Sequence, residues 1–166
     1  MALIIEDGSV IAGAESFATV AELDTYATKR GVTNDGTETA KEQALRKASD
    51  YLFMLEEGLQ GWRVDSTQEL IYPRTDVVIN GFSHDSGDIP NTLKNAQIEM
   101  ALYELNTGSL QPDGAGKDAK IEEVGSLKVE YFETAGGAVI PLPTKALSYL
   151  RPLTNQTSGL SATVIR

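Results

Sequence analysis

One long amphipathic run in the first third of the chain restricts the fold more than any other sequence feature. Apolar residues recur there at the helical period, so one face of the run is apolar and the other is charged. A capping box at 39–42 predicts the start of this helix, and Gly58 with Gly61 predicts its end. The apolar face consists of Ala44, Leu45, Ala48, Tyr51, Leu52 and Leu55. The chain must therefore supply a second apolar surface on which this helix packs.

Three further segments carry the start and stop signals of helices. The first has its own capping box, Thr19 with Glu22, and the other two open at a proline, which a first helical turn tolerates. The predicted helices span 19–31, 90–108 and 143–152. Because their apolar stripes can cover one another, we expect a small bundle of three to four helices.

Extended structure is predicted in three places. The apolar start of the chain predicts a short strand. Residues 61–90 predict a loop-rich stretch with a short strand before the Asn80-Gly81 turn. Segments 120–123 and 127–131 flank a central glycine, and apolar and charged residues alternate along the second of them. This pattern predicts a β-hairpin. The fold class is mainly α, a helical bundle with a β-hairpin. Residues 1–153 form one domain and 154–166 an extended C-terminal arm.

Charge divides the chain into an acidic body and a basic end. The formal net charge is −10, yet residues 141–166 contain Lys145, Arg151, Arg166 and no acid. Such asymmetry favours a terminal arm that docks on an acidic surface of a partner or of a neighbouring copy. The alternative is a frayed, solvated terminus.

Composition removes most enzyme chemistry. Without cysteine and with one histidine, the chain has no disulfide, no thiolate metal site and no histidine-based catalytic pair. His84, Asp85 and Asp88 match no metal-binding spacing and read as a polar turn, with the two acids the only candidate acid-base pair. We expect no catalytic, cofactor or metal site. No apolar run is long enough to cross a bilayer and no signal peptide is evident, so a cytoplasmic protein without a membrane partner is expected.

The aromatic residues of the loop-rich stretch have two interpretations. Trp62, Tyr72, Pro73 and Arg74 read as buried structural anchors that hold the loop on the helices. Alternatively, Trp62, Tyr72 and Arg74 could form a stacking platform for single-stranded nucleic acid. The structural interpretation is favoured, because the neighbouring acids would repel a phosphate backbone.

The order of short motifs along the chain resembles that of a known family. The motifs are Ala2 to Gly8, Ser16 to Glu22, Lys41 to Leu52, Gly61-Trp62-Arg63, Ser66-Thr67-Gln68, Tyr72-Pro73-Arg74, Ile89-Pro90, Ala96 to Leu105 and Val124 to Tyr131. Together they resemble the tailed-phage family labelled DnaT-like single-stranded-DNA-binding protein. That family is similar to the head-completion, or head-to-tail connector, adaptors. The resemblance extends to about Leu153 and does not cover the arm.

The resemblance implies a structural virion protein of the phage neck, assembled in the host cytoplasm. It implies a ring of about a dozen copies under the portal protein, which completes the head and offers a docking surface to a downstream neck or tail protein. Double-stranded DNA would pass through the lumen without specific binding. The family label implies instead a replication accessory that binds single-stranded DNA. The acidic body favours the adaptor, because basic groups in a lumen would hold each passing phosphate.

Ring assembly suggests which residues make contacts. The next copy in the ring can complete an exposed strand edge. The predicted subunit contacts are therefore Leu3, Ile4 and Ile5 together with Leu127, Val129 and Tyr131. The arm could add a strand to the portal protein or lie in a groove on it. The predicted portal-binding residues are Arg151, Leu153, Leu160, Val164, Ile165 and Arg166.

Overall fold

Four α-helices form the framework of the part of the chain that a computed structural model describes, namely residues 2–110, 122–124, 127–129 and 143–155. They are α1 (Val20–Arg30), α2 (Glu38–Met54), α3 (Asn91–Asn106) and α4 (Thr144–Leu150). α3 is central, since it packs against both α2 and α4, and α1 lies across α2 and α3. The predicted mainly α class is confirmed.

The described part of the chain also contains three short antiparallel strand pairs. The strands are β1 (Trp62–Arg63) with β2 (Arg74–Thr75), β3 (Val78–Ile79) with β4 (Phe82–Ser83), and β5 (Glu122–Val124) with β6 (Leu127–Val129). β3 and β4 pair across the Asn80-Gly81 turn, where both residues have positive φ. In the third pair Glu122 lies opposite Val129 and Val124 opposite Leu127, which confirms the predicted hairpin. Two of the three pairs therefore belong to the loop-rich stretch between α2 and α3.

The predicted helix boundaries hold at α1 and shift at α2. Thr19 caps α1 and Glu22 completes the capping box, as expected. The cap of α2 is Thr37, whose hydroxyl accepts from the Ala40 amide at 3.2 Å, so the predicted start at residue 39 is wrong by one half-turn. Its end also comes earlier than the glycines, at Met54, because the chain tightens into a 3₁₀ turn over Glu56–Gly58.

The core lies between α2, α3 and α4. The predicted apolar face of α2 is buried apart from Leu55, which is partly buried. α3 buries Leu93, Met100 and further residues on its other sides, because several neighbouring elements cover it. The ring of Tyr72 enters the same core from the loop-rich stretch.

One polar side chain in the core ties three segments together. Gln97 of α3 is fully buried, and its Oε1 accepts the amides of Phe17 and Ala18 at 3.0 Å each. Its Nε2 lies 2.8 Å from Ser16 Oγ, 3.0 Å from the Leu45 carbonyl and 2.7 Å from Ser49 Oγ. Gln97 thus fixes the segment before α1 to both α2 and α3.

The start of the chain is a loop rather than the predicted strand. Ile5 and Ser16 form a single isolated bridge within the chain. The buried carboxylate of Glu6 accepts the amides of Gly8, Val10 and Ile11 at 2.8 to 3.0 Å. These bonds curl the backbone back on itself, which is why no strand extends along this segment.

The described chain ends in contact with the segment before β1. Thr154 bridges to Leu59 in an antiparallel sense, and the Asn155 amide donates to the Gly58 carbonyl at 2.9 Å. The Gln60 side chain donates to the carbonyls of Pro152 at 3.0 Å and Thr154 at 3.2 Å. Contacts with the domain thus continue two residues past the predicted boundary at residue 153.

Candidate functional site

The predicted anchors of the loop-rich stretch fall into two groups. Tyr72, Pro73 and Arg74 are buried. Burial raises the pKa of Tyr72 to about 12. The guanidinium of Arg74 donates at 2.7 Å to the carbonyls of both Gln60 and Gly61. Arg74 therefore holds the start of β1 in place, and these three residues are placed as structural anchors.

A single carboxylate pairs with both arginines of the stretch. Glu56 lies 2.5 Å from Arg63 Nη2 and 3.0 Å from Arg74 Nη1. Hydrogen bonding from Arg63 lowers the pKa of Glu56, although partial burial opposes the shift. Both guanidiniums are thereby engaged inside the molecule, and Glu56 balances one of their two positive charges.

Trp62 is exposed, which corrects its prediction as a buried anchor. Its side chain is 74% accessible. Successive side chains of a strand point to opposite sides, and Arg63 is held inward by Glu56 and by the Gln68 carbonyl. Trp62 must consequently face outward.

A second aromatic ring is exposed on the neighbouring strand pair. Phe82 is 78% accessible and Val78 is 46% accessible. The two strand pairs are adjacent. The Val78 amide donates to Oε1 of Gln60 at 3.1 Å, and Gln60 lies two residues before Trp62. Val78 pairs with Ser83 and Phe82 pairs with Ile79, so the side chains of Val78 and Phe82 point to opposite faces of their strand pair. Trp62, Val78 and Phe82 are called the apolar edge below, which is a set of exposed side chains rather than one continuous face. Val78 and Phe82 were not predicted, although an aromatic residue directly after a two-residue turn is poorly placed for burial.

The segment that carries the apolar edge is acidic. Residues 59–90 contain five acids and two arginines, and both arginines are the ones that pair with Glu56. The five acids are Asp65, Glu69, Asp76, Asp85 and Asp88. The apolar edge thus has two exposed rings on a segment in which acids outnumber arginines.

A basic groove of about 360 Å³ lies between α1 and α3. Three cations line it, Lys29, Arg30 and Lys94, against a single acid, Glu22. Lys94 reaches Glu22 at 3.2 Å, so two positive charges are in excess there. These residues come from distant parts of the sequence, so only the packing of α1 on α3 reveals the groove.

One wall of the basic groove is the ring of Tyr26, which is held by a network of contacts. Arg30 stacks on the Tyr26 ring, with its central carbon 3.5 Å from the ring centre. The Tyr26 hydroxyl donates to Glu99 and also contacts Tyr149, and burial together with the bond to Glu99 raises its pKa. Tyr26 is thus a fixed, neutral wall on which the exposed guanidinium rests.

The predicted subunit contacts of the N-terminal segment are only partly accessible. Ile4 is 43% accessible, Leu3 packs against the core, and the Ile5 backbone is bridged to Ser16. Leu127 and Val129 lie in the described strand β6, and Tyr131 lies outside the described residues.

The predicted portal-binding residues differ in exposure, and some of them lie outside the described residues. Arg151 is exposed, whereas Leu153 is fully buried and is a core residue of the domain rather than a surface contact. Leu160, Val164, Ile165 and Arg166 lie outside the described residues.

His84, Asp85 and Asp88 form a closed polar turn. The His84 ring contacts the Asp88 carbonyl at 3.1 Å, and Asp85 accepts the Gly87 amide at 2.9 Å. Among residues 2–110 and 143–155, no group of three histidine or acidic side chains is placed to hold a metal ion. No helix in the described part of the chain is long and apolar enough to cross a membrane.

Comparison with known proteins identifies the family. No curated protein and no solved structure matches the chain. A family model described as "Putative DnaT-like ssDNA binding protein" matches residues 1–166, the whole sequence. The chain therefore belongs to this DnaT-like family.

Proposed function

We propose that the protein is a structural adaptor of a phage neck, a subunit that forms a ring under the portal protein and docks a downstream neck or tail protein. The observation that carries this proposal is the apolar edge, with two aromatic rings exposed on an acidic segment of the chain. Exposed aromatic residues with a polar rim are typical of protein contacts. In this proposal the chain binds other proteins and transforms no substrate.

The exposed rings represent a sizeable driving force for association. Aromatic side chains bury about 150–250 Å² each, so covering both rings would remove roughly 300 Å² from water. At about 25 cal/mol per Å² this corresponds to about 7 kcal/mol before the entropic costs of association. A protein that keeps such a surface uncovered in its monomer gains most by placing it in an interface.

The charge of the protein supports the adaptor over nucleic-acid binding. A net charge of −10 repels a phosphate backbone, and both arginines near the apolar edge are occupied by Glu56. In a ring lumen the same negative charge lets double-stranded DNA slide without sticking.

Single-stranded-DNA binding is the second candidate, which the family description and the exposed rings favour. Bases stack on aromatic side chains in a sequence-tolerant way, and Trp62 and Phe82 offer two such faces. This candidate needs cations along the backbone path, and the surrounding of the apolar edge supplies carboxylates instead.

One fluorescence titration separates the two candidates. Trp62 is the only tryptophan of the sequence and stands at the candidate stacking surface. A poly-dT oligonucleotide at low salt is expected to leave its emission unchanged. Tight quenching that weakens steeply with added salt would favour the single-stranded-DNA candidate and contradict the adaptor.

The adaptor itself is tested with the portal protein. Native mass spectrometry and electron microscopy of the two proteins together should show a ring of copies bound to the portal. Protein that stays monomeric and ignores the portal would refute the proposal. Virions imaged at the neck should contain the protein between head and tail.

The arm is tested by truncation after Asn155. The hydrogen bonds of Thr154 and Asn155 with the domain are kept, so the truncated protein is expected to fold. We expect it to lose portal attachment and to yield heads that leak DNA. Full portal binding by the truncated protein would show that the arm has no part in attachment.

A further inference from the structure

We propose that the apolar edge of one copy docks in the basic groove of a second copy. This inference rests on the proposed function and adds the two surfaces through which neighbours in the ring meet. The two surfaces are built from different elements: β1, β3 and β4 carry the edge, whereas α1 and α3 form the groove. A contact between two different surfaces is heterologous, and repeating it generates a closed ring or a filament.

Size makes the groove a suitable receptor for an aromatic side chain. Its volume of about 360 Å³ is within the range of roughly 300–1,000 Å³ found for pockets that enclose small ligands. One ring of the apolar edge therefore fits in it. The larger of the two exposed rings, Trp62, is the one we expect to insert.

Charge selects a second copy as the occupant. The groove has an excess of two positive charges on a protein whose net charge is −10. The acids nearest in sequence to Trp62 and Phe82 are Asp65 and Asp85, each three residues away and exposed, and the two excess cations of the groove would attract them. Other pairings of two such acidic molecules bring like charges together, which disfavours them. The same protein therefore carries both halves of a complementary pair.

The tyrosine wall adds a specific attraction. Arg30 is exposed and already rests on the Tyr26 ring. A guanidinium can hold an aromatic ring on each of its faces, so an incoming Trp62 would stack on the side away from Tyr26. The fixed position of Arg30 means that little conformational freedom is lost when this contact forms.

Two variants with complementary defects test the pairing. The edge variant is Trp62→Ala with Phe82→Ala, and the groove variant is Lys29→Glu with Lys94→Glu. Each removes exposed or half-exposed side chains, so both variants are expected to fold, and circular dichroism melts check that they do. Matched controls are Met54→Ala, an exposed apolar side chain on α2, and Lys47→Glu, a lysine of α2 that does not line the groove.

The measurement is sedimentation velocity over a range of concentrations up to millimolar. Wild type and both controls are expected to associate, and each variant alone to weaken association about 30-fold or more, as loss of a central contact does. Mixed together, the two variants are expected to form a one-to-one pair and nothing larger. The pair forms because the edge variant keeps an intact groove and the groove variant an intact edge.

Other outcomes overturn the pairing. Wild type that is monomeric at millimolar concentration, or variants that associate as well as wild type, would refute it. A groove variant that associates normally while the edge variant does not would show that edge meets edge. Any of these results together with intact portal binding by wild type would leave the adaptor proposal standing, whereas loss of both would remove the two together.

Discussion

Replacing Gln97 by Leu is expected to destabilise the protein by about 2–4 kcal/mol while leaving its shape intact. Leucine has a similar volume, so little cavity forms in the core. The Phe17 amide loses the acceptor that lies at 3.0 Å, and a buried orphaned donor costs about 1–3 kcal/mol. The Ala18 amide keeps a bond to Ser16 Oγ at 3.2 Å, so it contributes less. Each lost bond from the Gln97 amide nitrogen adds about 0.5–1.5 kcal/mol at most.

The assay is urea denaturation followed by far-ultraviolet circular dichroism. Tryptophan emission is unsuited to it, because Trp62 is exposed in the folded state and changes little on unfolding. Gln43→Leu on the exposed side of α2 is the control and should change stability by less than about 0.5 kcal/mol. Amide exchange at Phe17 should also accelerate. If Gln97→Leu lost no more stability than the control, the assignment of Gln97 as the tie between segments would be refuted.

Three further perturbations test the loop-rich stretch. Glu56→Gln should cost about 1–2 kcal/mol at neutral pH, because two guanidiniums lose their carboxylate. The pKa of Glu56 is held below its ordinary value of 4.5, so its stabilisation is complete above that pH and is lost as the pH falls through the lowered pKa. Trp62→Ala should change stability by less than about 0.5 kcal/mol, whereas Tyr72→Ala should cost about 3–5 kcal/mol. Gly61→Ala should cost more than about 2 kcal/mol, because its Cβ would lie 1.8 Å from the Thr75 carbonyl oxygen at a φ of +67°.

Each of these has an outcome that contradicts it. Urea titrations of wild type and Glu56→Gln should converge in acid, and a constant difference down to pH 3 would exclude the ion pairs as the cause. Thermal melts compare the two aromatic variants, and a large loss for Trp62→Ala would mean that the ring is packed. Gly58→Ala, where an added Cβ meets nothing within 4 Å, is the control for Gly61→Ala and should be near neutral.

The helices were predictable because their signals are local. The capping box at Thr19 and the apolar period of α2 depend on residues within a few turns of one another, and both are present in the structure. The start of α2 was misplaced because two threonines, Thr37 and Thr39, both suit a cap. Only the backbone conformation of the segment after α1 decides between them.

The surface features were not predictable because they depend on long-range partners. The sequence shows an aromatic residue at position 62 but not that Glu56 draws Arg63 inward and so turns Trp62 outward. The burial of Leu153 likewise follows from the hydrogen bond of its carbonyl to the Gln60 amide, 93 residues earlier in the chain. The basic groove needs α1 and α3 side by side, and their cations are more than 60 residues apart in sequence.

The junction of Gln60 with Thr154 has a mechanical consequence for anything fastened to the chain after Asn155. A force applied to that segment acts first on the bridge between Thr154 and Leu59. It also acts on the hydrogen bonds that the Gln60 side chain donates to two backbone carbonyls. Gln60 lies two residues before Trp62, and its side chain also accepts a hydrogen bond from the Val78 amide. The force is therefore transmitted to the backbone next to the exposed rings. In the proposed adaptor, tension on the arm would therefore be transmitted to the apolar edge without movement of any helix of the bundle.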